Sequence, residues 1–113
     1  MRLSDISSSE LKNIIEIITY EDSVDVDRIP IHIENIIATK RSRVDVPSLR
    51  RQETLAALGV SVSKSLMFIF RYFDGLDSEI HKIKYKNNIY EIQGIENVEE
   101  RNLYFNVLGV IKD

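Results

Sequence analysis

The feature that most constrains the fold is a period of two in the second half of the chain. Between residues 60 and 72 nearly every even position is apolar or aromatic, and residues 103–111 alternate two sets of side chains in the same way. Neighbouring side chains point to opposite faces of a β-strand, so this period is typical of strands and not of helices. Both segments are therefore predicted to be strands of a sheet.

A hairpin is predicted between these two strands. Ile83 and Tyr85 form an alternating apolar pattern that leads into Asn87, and a second alternating segment follows. Asparagine tolerates the left-handed conformation that a tight hairpin turn needs. Gly94 interrupts the second segment and indicates a bulge or a strand end. The charged residues 96–101 indicate a loop before the last strand.

Two further strands are predicted in the first half. Four of the five residues at positions 14–18 are isoleucine, and this β-branched density favours a strand. The helical spacing that begins at Leu11, with a capping box at Ser7, is the alternative. Residues 21–27 are predicted to form an exposed acidic turn. Apolar side chains share one parity after Pro30, which predicts a half-buried strand that begins at this proline.

A helix is predicted between the second and third strands. Residues 48–58 are rich in Leu, Ala, Arg, Gln and Glu, and Gly59 stands where a helix C′ residue is preferred. Residues 40–46 are polar and basic and are predicted to form a loop. We therefore expect a mainly β fold: a small antiparallel β-barrel or sandwich of about six strands, with a basic loop and one short helix inserted at residues 40–59.

The bulk composition suits one domain, residues 1–113, and argues against several function classes. A chain of 113 residues with 43% hydrophobic and 29% charged residues matches one compact core. The net charge of −3 provides no global field for a nucleic-acid backbone. The absence of cysteine removes disulfides and Cys-type zinc sites. No apolar run predicts a signal peptide or a membrane span.

The residues that could carry chemistry form no recognisable motif. His32 and His81 are far apart in the sequence, and His32 lies on the polar parity of its strand, which favours a solvated side chain. Glu96, Glu99 and Glu100 are close enough for a cation site or an acid–base pair, but they lack the pattern of a calcium loop and are interpreted as solvated. An enzyme is the least favoured class, and we predict no catalytic residue, no metal and no cofactor.

Two groups of residues are candidate interaction surfaces. The first is a basic cluster, for which a solvated surface and a surface facing a partner or nucleic acid are about equally favoured. Its members are Lys40, Arg41, Arg43, Arg50 and Arg51. No aromatic residues are interleaved with it, which weakens a dedicated single-strand binder. The second is the odd face of the third strand, whose residues are Met67, Ile69, Arg71 and Phe73. A strand that is apolar on both faces is central in a barrel or covered by a partner.

The segment from residue 68 to residue 111 resembles the C-terminal half of the phage head–tail adaptor family, also called the head-closure or stopper family. The resemblance rests on Phe70, Arg71 and Tyr72 before an Asp-Gly turn, on a hairpin series, and on a short loop before a terminal apolar strand. The hairpin and loop positions are Ile83, Tyr85, Asn87, Tyr90, Ile92, Asn97, Glu100, Arg101 and Asn102. The chain departs from the family at Asn87, where glycine is common, and at Ile37 and Ala38, where a Trp-Ala pair is common.

This resemblance implies a structural protein of a tailed bacteriophage. Subunits of that family are small and barrel-like, and they assemble as a homo-oligomeric ring beneath the portal and connector to close the DNA channel and join head to tail. The implied partners are portal, connector and tail proteins, with non-specific contact with packaged DNA and no membrane. The implied location is the head–tail interface of the virion, after synthesis in the host cytoplasm. The insertion, residues 40–59, would face neighbours or the channel, and Met67, Ile69 and Phe73 would pack on an adjacent subunit.

A second function class stays open, namely a small β-barrel module that binds nucleic acid through residues 40–51. Binding to DNA that weakens steeply with salt would favour this class over a connector.

Overall fold

The computed structural model describes residues 1–59 and 64–111 of the chain. In these residues it contains six strands and one α-helix. The strands are β1 Asn13–Val24, β2 Pro30–Asp45, β3 Ser65–Arg71, β4 Lys82–Tyr85, β5 Asn88–Asn97 and β6 Tyr104–Ile111, and the helix α1 is Leu49–Ala57. Short 3₁₀ turns occupy Leu3–Asp5, Ser8–Glu10 and Val98–Glu100. The predicted mainly β fold, with a helix between the second and third strands, is confirmed.

The six strands form one antiparallel sheet that closes on itself. The order of neighbours is β1-β2-β3-β6-β5-β4, and β4 pairs back onto β1 through residues 16–18. Closure leaves no free edge along the body of the sheet. Of the two architectures that the sequence favours, the chain adopts the barrel rather than the sandwich.

The barrel interior is filled by the inward-facing side chains of the six strands. The inner face of β2 contributes smaller groups. The buried members of the barrel interior are Ile15, Ile17, Phe68, Phe70, Ile83, Tyr90, Ile92, Phe105 and Val107. The predicted alternation in β3 is confirmed, because Phe68 and Phe70 lie in this cluster. This packing leaves no room for a side chain at Gly109, because a Cβ there would lie 2.8 Å from a ring carbon of Phe68. The part of the predicted third strand at residues 60–63 lies outside the described residues.

The helix α1 begins and ends where the sequence predicts. The Ser48 side chain accepts a hydrogen bond from the backbone N–H of Arg51, which caps the first turn. Gly59 has a φ of 79°, the left-handed conformation that follows many helices. The single buried residue of the helix, Leu55, packs with Met67 and Leu108 on the outside of the barrel. The helix therefore covers only part of the outer face of β3 and β6.

The β1–β2 hairpin extends well beyond the barrel. Its pairing continues to Val24 and Pro30, whereas β4 reaches β1 only at residues 16–18 and β3 reaches β2 only at residues 42–45. Residues 19–37 thus form a two-stranded projection, which we call the arm. It accounts for the elongated shape of the molecule, which measures 53 × 31 × 23 Å.

Three local predictions are wrong. Residues 40–45 belong to β2 and not to a loop, so the segment between β2 and β3 begins at residue 46. The strand after Pro30 is not half-buried, since Ile31 and Ile33 are 36% and 40% exposed. The acidic turn of residues 21–27 is shorter than predicted, because β1 continues to Val24. The predicted strand at positions 14–18 and the bulge next to Gly94 are confirmed.

Candidate interface surfaces

The histidines are engaged in local structure. The Nδ1 atom of His32 lies 2.6 Å from a carboxylate oxygen of Asp22 on the exposed arm, which confirms a solvated position. His81 is buried, and its Nδ1 accepts a hydrogen bond of 3.0 Å from the backbone N–H of Asp77. Within residues 1–59 and 64–111, no group of three or more His, Cys, Asp or Glu side chains is arranged to hold a metal ion.

Two of the three glutamates at residues 96–100 make contacts that hold the fold together. The Glu99 carboxylate accepts a hydrogen bond of 2.7 Å from the backbone N–H of Leu3. The Glu96 carboxylate accepts one of 3.2 Å from the side-chain amide of Asn106. Glu100 is exposed, and its backbone has a positive φ of 53°. Glu96 and Glu99 thus serve the fold, and of the three glutamates Glu100 alone matches the solvated-loop interpretation.

The structure divides the predicted basic cluster into three parts, and Arg43 is the part that serves the fold. Its guanidinium donates hydrogen bonds of 2.8–2.9 Å to Asp45, to Glu10 and to the backbone carbonyl of Asp5. Partial burial lowers the pKa of Arg43, but the hydrogen bonds and charges of Asp45 and Glu10 outweigh burial and raise it. Arg43 is therefore neutralised within the chain and holds the N-terminal 3₁₀ turns against β2.

The second part lies at the edge of the barrel, where Lys40 and Arg41 meet Arg71. The last residue pair between β2 and β3 joins Ser42 to Phe70. Arg41 and Arg71 are the next residues beyond this pair on the two strands, so they are adjacent on the outer face of the barrel. Together with Ser8, Leu11 and Thr39 they line a depression of about 330 Å³, which we call the edge groove. The edge groove brings together three cations from two strands. The linear sequence did not indicate that Arg71 lies beside Lys40 and Arg41.

Aromatic rings accompany the cations of the edge groove, contrary to the sequence interpretation. The Lys40 Nζ atom lies 5.1 Å from the ring centre of Phe73, and the Arg71 guanidinium carbon lies 5.5 Å from that of Tyr104. Cation–π contacts of this geometry are weakly stabilising at an exposed site. The rings come from positions distant in sequence, so the pairing is visible only after folding.

The third part, Arg50 and Arg51, lies on α1. Both guanidinium groups are exposed, and they border a groove of about 540 Å³ between the helix and strands β5 and β6, which we call the helix groove. Its lining combines these cations with apolar and small polar groups, namely Ser48, Arg50, Arg51, Thr54, Leu55, Leu58, Gln93, Gly94 and Leu108.

The apolar odd face of β3 is covered by the chain itself. Met67 and Ile69 are 7% and 1% exposed, and Met67 packs under Leu55 of the helix. Phe73 lies after the end of β3, where its ring stacks on Phe70 and meets the edge of a further core ring. In the single chain Met67 and Ile69 are therefore not available to an adjacent subunit. A contact between copies has to use other side chains.

The arm carries a surface that the sequence analysis missed. Eight of the fifteen exposed large hydrophobic side chains among the described residues lie on it: Tyr20, Val24, Val26, Ile29, Ile31, Ile33, Ile36 and Ile37. The same segment contains five acidic residues and one arginine. Glu34 accepts a hydrogen bond of 3.0 Å from Lys84, which raises the pKa of Lys84. Alternation was visible in the sequence, but the lack of a packing partner was not.

No helix in the part of the chain that the structure describes is both long and apolar enough to cross a membrane.

Three comparisons relate the chain to known proteins. The model of a family described as phage head completion protein matches residues 6–108. The curated proteins contain no match to the chain. Among solved structures, the chain is similar to the solution structure of protein SF1141 from Shigella flexneri 2a. The TM-score is 0.69 at 14% identity, over 94% of this chain and 96% of that one. At this identity the structural likeness supports the fold alone.

Proposed function

Because the chain belongs to the phage head completion protein family, we propose that it is a head–tail connector that assembles as a homo-oligomeric ring beneath the portal. A structural role in the phage head and a place in the virion follow from the family itself. The ring, the closure of the DNA channel and the junction with tail proteins are our proposal. The observation that carries it is the extent of the family match, which includes the barrel, the arm and the helix.

The distribution of exposed groups supports an assembly role over catalysis. The barrel interior is filled by apolar side chains, and Glu96, Glu99 and His81 are engaged in fold contacts. The described residues expose an apolar arm and two basic grooves, which are features that contact other macromolecules. Such a molecule gains its function from what it binds rather than from a reaction that it catalyses.

The edge groove is the part that we assign to packaged DNA. Lys40, Arg41 and Arg71 present three cations on one exposed edge, although the net charge of the chain is −3. A few cations repeated around a ring attract phosphates locally without reading the base sequence. DNA is therefore retained without tight binding to a single subunit.

The proposal is tested with phage particles that lack this protein. Heads filled with DNA in its absence are expected to lose DNA, and addition of the purified protein is expected to restore nuclease-protected DNA. Electron microscopy of the restored particles is expected to show a ring at the portal vertex. If the protein neither binds the heads nor forms a ring there, the proposal fails.

Substitutions in the edge groove separate ring formation from DNA retention. Arg41→Gln with Arg71→Gln removes two exposed cations without touching the core. We expect rings on the heads but reduced protection of the DNA. The matched control Lys12→Gln with Lys86→Gln removes two exposed cations elsewhere and is expected to behave as the wild type. Equal protection by both variants would remove the edge groove from the proposal.

A module that binds nucleic acid by itself is the second candidate, and the aromatic rings beside Lys40 and Arg71 favour it. Fluorescence titration of the isolated protein with single- and double-stranded DNA at two salt concentrations distinguishes the two functions. Micromolar binding with a steep salt dependence would favour the module. Weak binding by the free protein, with DNA retention on heads, is the result expected of a connector.

A further inference from the structure

The arm is an incomplete piece of sheet. Beyond residue 18 of β1 and before residue 42 of β2, no described strand pairs with either edge of the ribbon. A two-stranded ribbon is marginally stable in water unless something packs against it. At about 3.3 Å per residue, its six pairs carry the tip about 20 Å beyond the barrel. The arm is therefore long enough to reach a neighbouring molecule.

The tip of the arm is nevertheless well defined. The Asp25 carboxylate accepts hydrogen bonds of 2.8 and 2.9 Å from the backbone N–H groups of Asp27 and Ile29. These bonds hold the turn in one conformation and leave Val26 at its apex, 98% exposed. An ordered turn that displays an apolar side chain to solvent is suited to insertion into a complementary groove.

One face of the arm combines apolar and acidic groups. The register pairs Ile33 with Glu21 and Ile31 with Ser23, so these four side chains lie on the same face of the ribbon. Asp27 adds a second carboxylate at the tip. A partner for this face needs apolar contacts with cations beside them.

The helix groove has that complementary composition. Leu58 is 74% exposed at its rim, next to the exposed Arg50 and Arg51. Within the described residues neither guanidinium makes an ion pair with a carboxylate. The helix itself is attached through a single buried residue, Leu55, so it too lacks cover on its outer side. The arm thus provides carboxylates beside apolar side chains, and the helix groove provides cations beside an exposed leucine.

We propose that the arm of one copy docks in the helix groove of the next copy, with Glu21 and Asp27 facing Arg50 and Arg51. This inference rests on the proposed ring and names the contact that builds it. The two surfaces are different patches of the same molecule, so the contact is heterologous and repeats from copy to copy until the ring closes. Opposite charges select the partner and orient it, while the isoleucines and Leu58 supply apolar area.

Charge reversal tests the docking directly. E21K/D27K and R50E/R51E are each expected to abolish ring formation on heads, since like charges then face each other. An equimolar mixture is expected to restore rings, because a reversed arm fits a reversed groove and a wild-type arm fits a wild-type groove. The controls E79K/E100K and K12E/R101E make the same charge changes at exposed sites away from both surfaces and are expected to assemble normally.

Each result of this experiment has one meaning. Loss of rings in both variants with recovery in the mixture supports the docking. Normal rings from either variant overturn it and leave the connector function intact. Entry of affinity-tagged E21K/D27K protein into the rings that wild-type protein forms would indicate arm-to-arm contact and also overturn it. Failure of the wild type to form rings would overturn the proposed function together with this inference.

Cross-linking adds a readout of position. The chain contains no cysteine, so Val26→Cys at the tip of the arm and Leu58→Cys at the helix groove each introduce a unique thiol. A chain that carries both is expected to give a ladder of covalent oligomers with a short bis-maleimide when assembled on heads, and either variant alone is expected to give none. Dimers from Val26→Cys alone, or rings without any ladder, would contradict the docking.

Discussion

The barrel end and the arm end of the β1–β2 hairpin contain the same residue type and have opposite surroundings. Ile15 and Ile17 of β1 are completely buried in the barrel. On the arm, Ile31 and Ile33 of β2 each have more than a third of their surface exposed to solvent. The barrel is stabilised by its own packing, and the arm has apolar side chains without cover. The difference shows that strand propensity and burial are separate: β-branched residues form the ribbon, but only neighbouring strands bury it.

Truncation of a central ring is expected to give the largest effect on stability. Phe68 is fully buried and meets Tyr85 and Tyr90 edge to face. Phe68→Ala is expected to reduce the free energy of unfolding by about 3–5 kcal/mol, because it removes apolar contacts and leaves a cavity. Urea denaturation followed by circular dichroism measures this loss. A loss no greater than that of Ile33→Ala on the arm would contradict the separation of the two regions.

Addition of one methyl group inside the barrel is expected to have the next largest effect on stability. A Cβ at Gly109 would lie 2.8 Å from Phe68 and 3.0 Å from the Cβ of Tyr90. Gly109→Ala is therefore expected to cost about 1–3 kcal/mol of stability through overpacking. Gly94→Ala is the matched control, since no atom lies within 4 Å of a Cβ there. Thermal unfolding of the two variants compares them, and equal midpoints would show that the barrel accommodates the methyl group.

Removal of the Arg43 guanidinium tests how the N-terminal turns are fastened. Arg43→Met keeps most of the aliphatic volume but loses the hydrogen bonds to Asp45, Glu10 and Asp5. The expected loss is about 1–2 kcal/mol, since the charged partners are partly exposed and regain water. Hydrogen exchange is expected to accelerate at residues 3–10. Unchanged exchange there would show that these turns are held by other contacts.

Polar substitution on the arm is expected to have the smallest effect on stability and a large effect on assembly. Ile31→Ser with Ile33→Ser is expected to change the free energy of unfolding by less than about 0.5 kcal/mol per site, because both side chains lie on the surface and belong to no core cluster. Ring formation on heads is expected to be lost. A stability loss comparable to that of Phe68→Ala would show that the arm and the barrel unfold as one packed unit.

Features that depend on local pattern were predictable from the sequence. The period of two in β3, the isoleucines of β1, and Gly59 after the helix each act through backbone preferences of neighbouring residues. The loop predicted at residues 40–45 was wrong because charged residues on the outer face of a strand resemble a loop when the inner face is not recognised. Ser42 lies on that inner face and is fully buried, but serine gives no apolar signal.

The candidate surfaces were less predictable, since they depend on which elements cover which. Met67 and Ile69 resembled an open interface, but both are buried within the chain, and Leu55 of α1 packs on Met67. The basic cluster was found, but its division into Arg43, the edge groove and the helix groove depends on strand register and on the carboxylates nearby. The exposure of the arm depends on where β3 and β4 end, which no local pattern in β2 reveals.

The closure of the sheet between β1 and β4 has a mechanical consequence. This seam contains three residue pairs, fewer than the seven between β3 and β6. Strand β1 forms this seam and continues directly into the arm. A force on the arm therefore acts on the junction of the sheet that has the fewest residue pairs. The residue pair of this seam that lies nearest the arm is Ile18 with Lys82, so a load on the arm reaches that pair first. Immobilising the arm therefore stiffens the junction at which the sheet opens most easily.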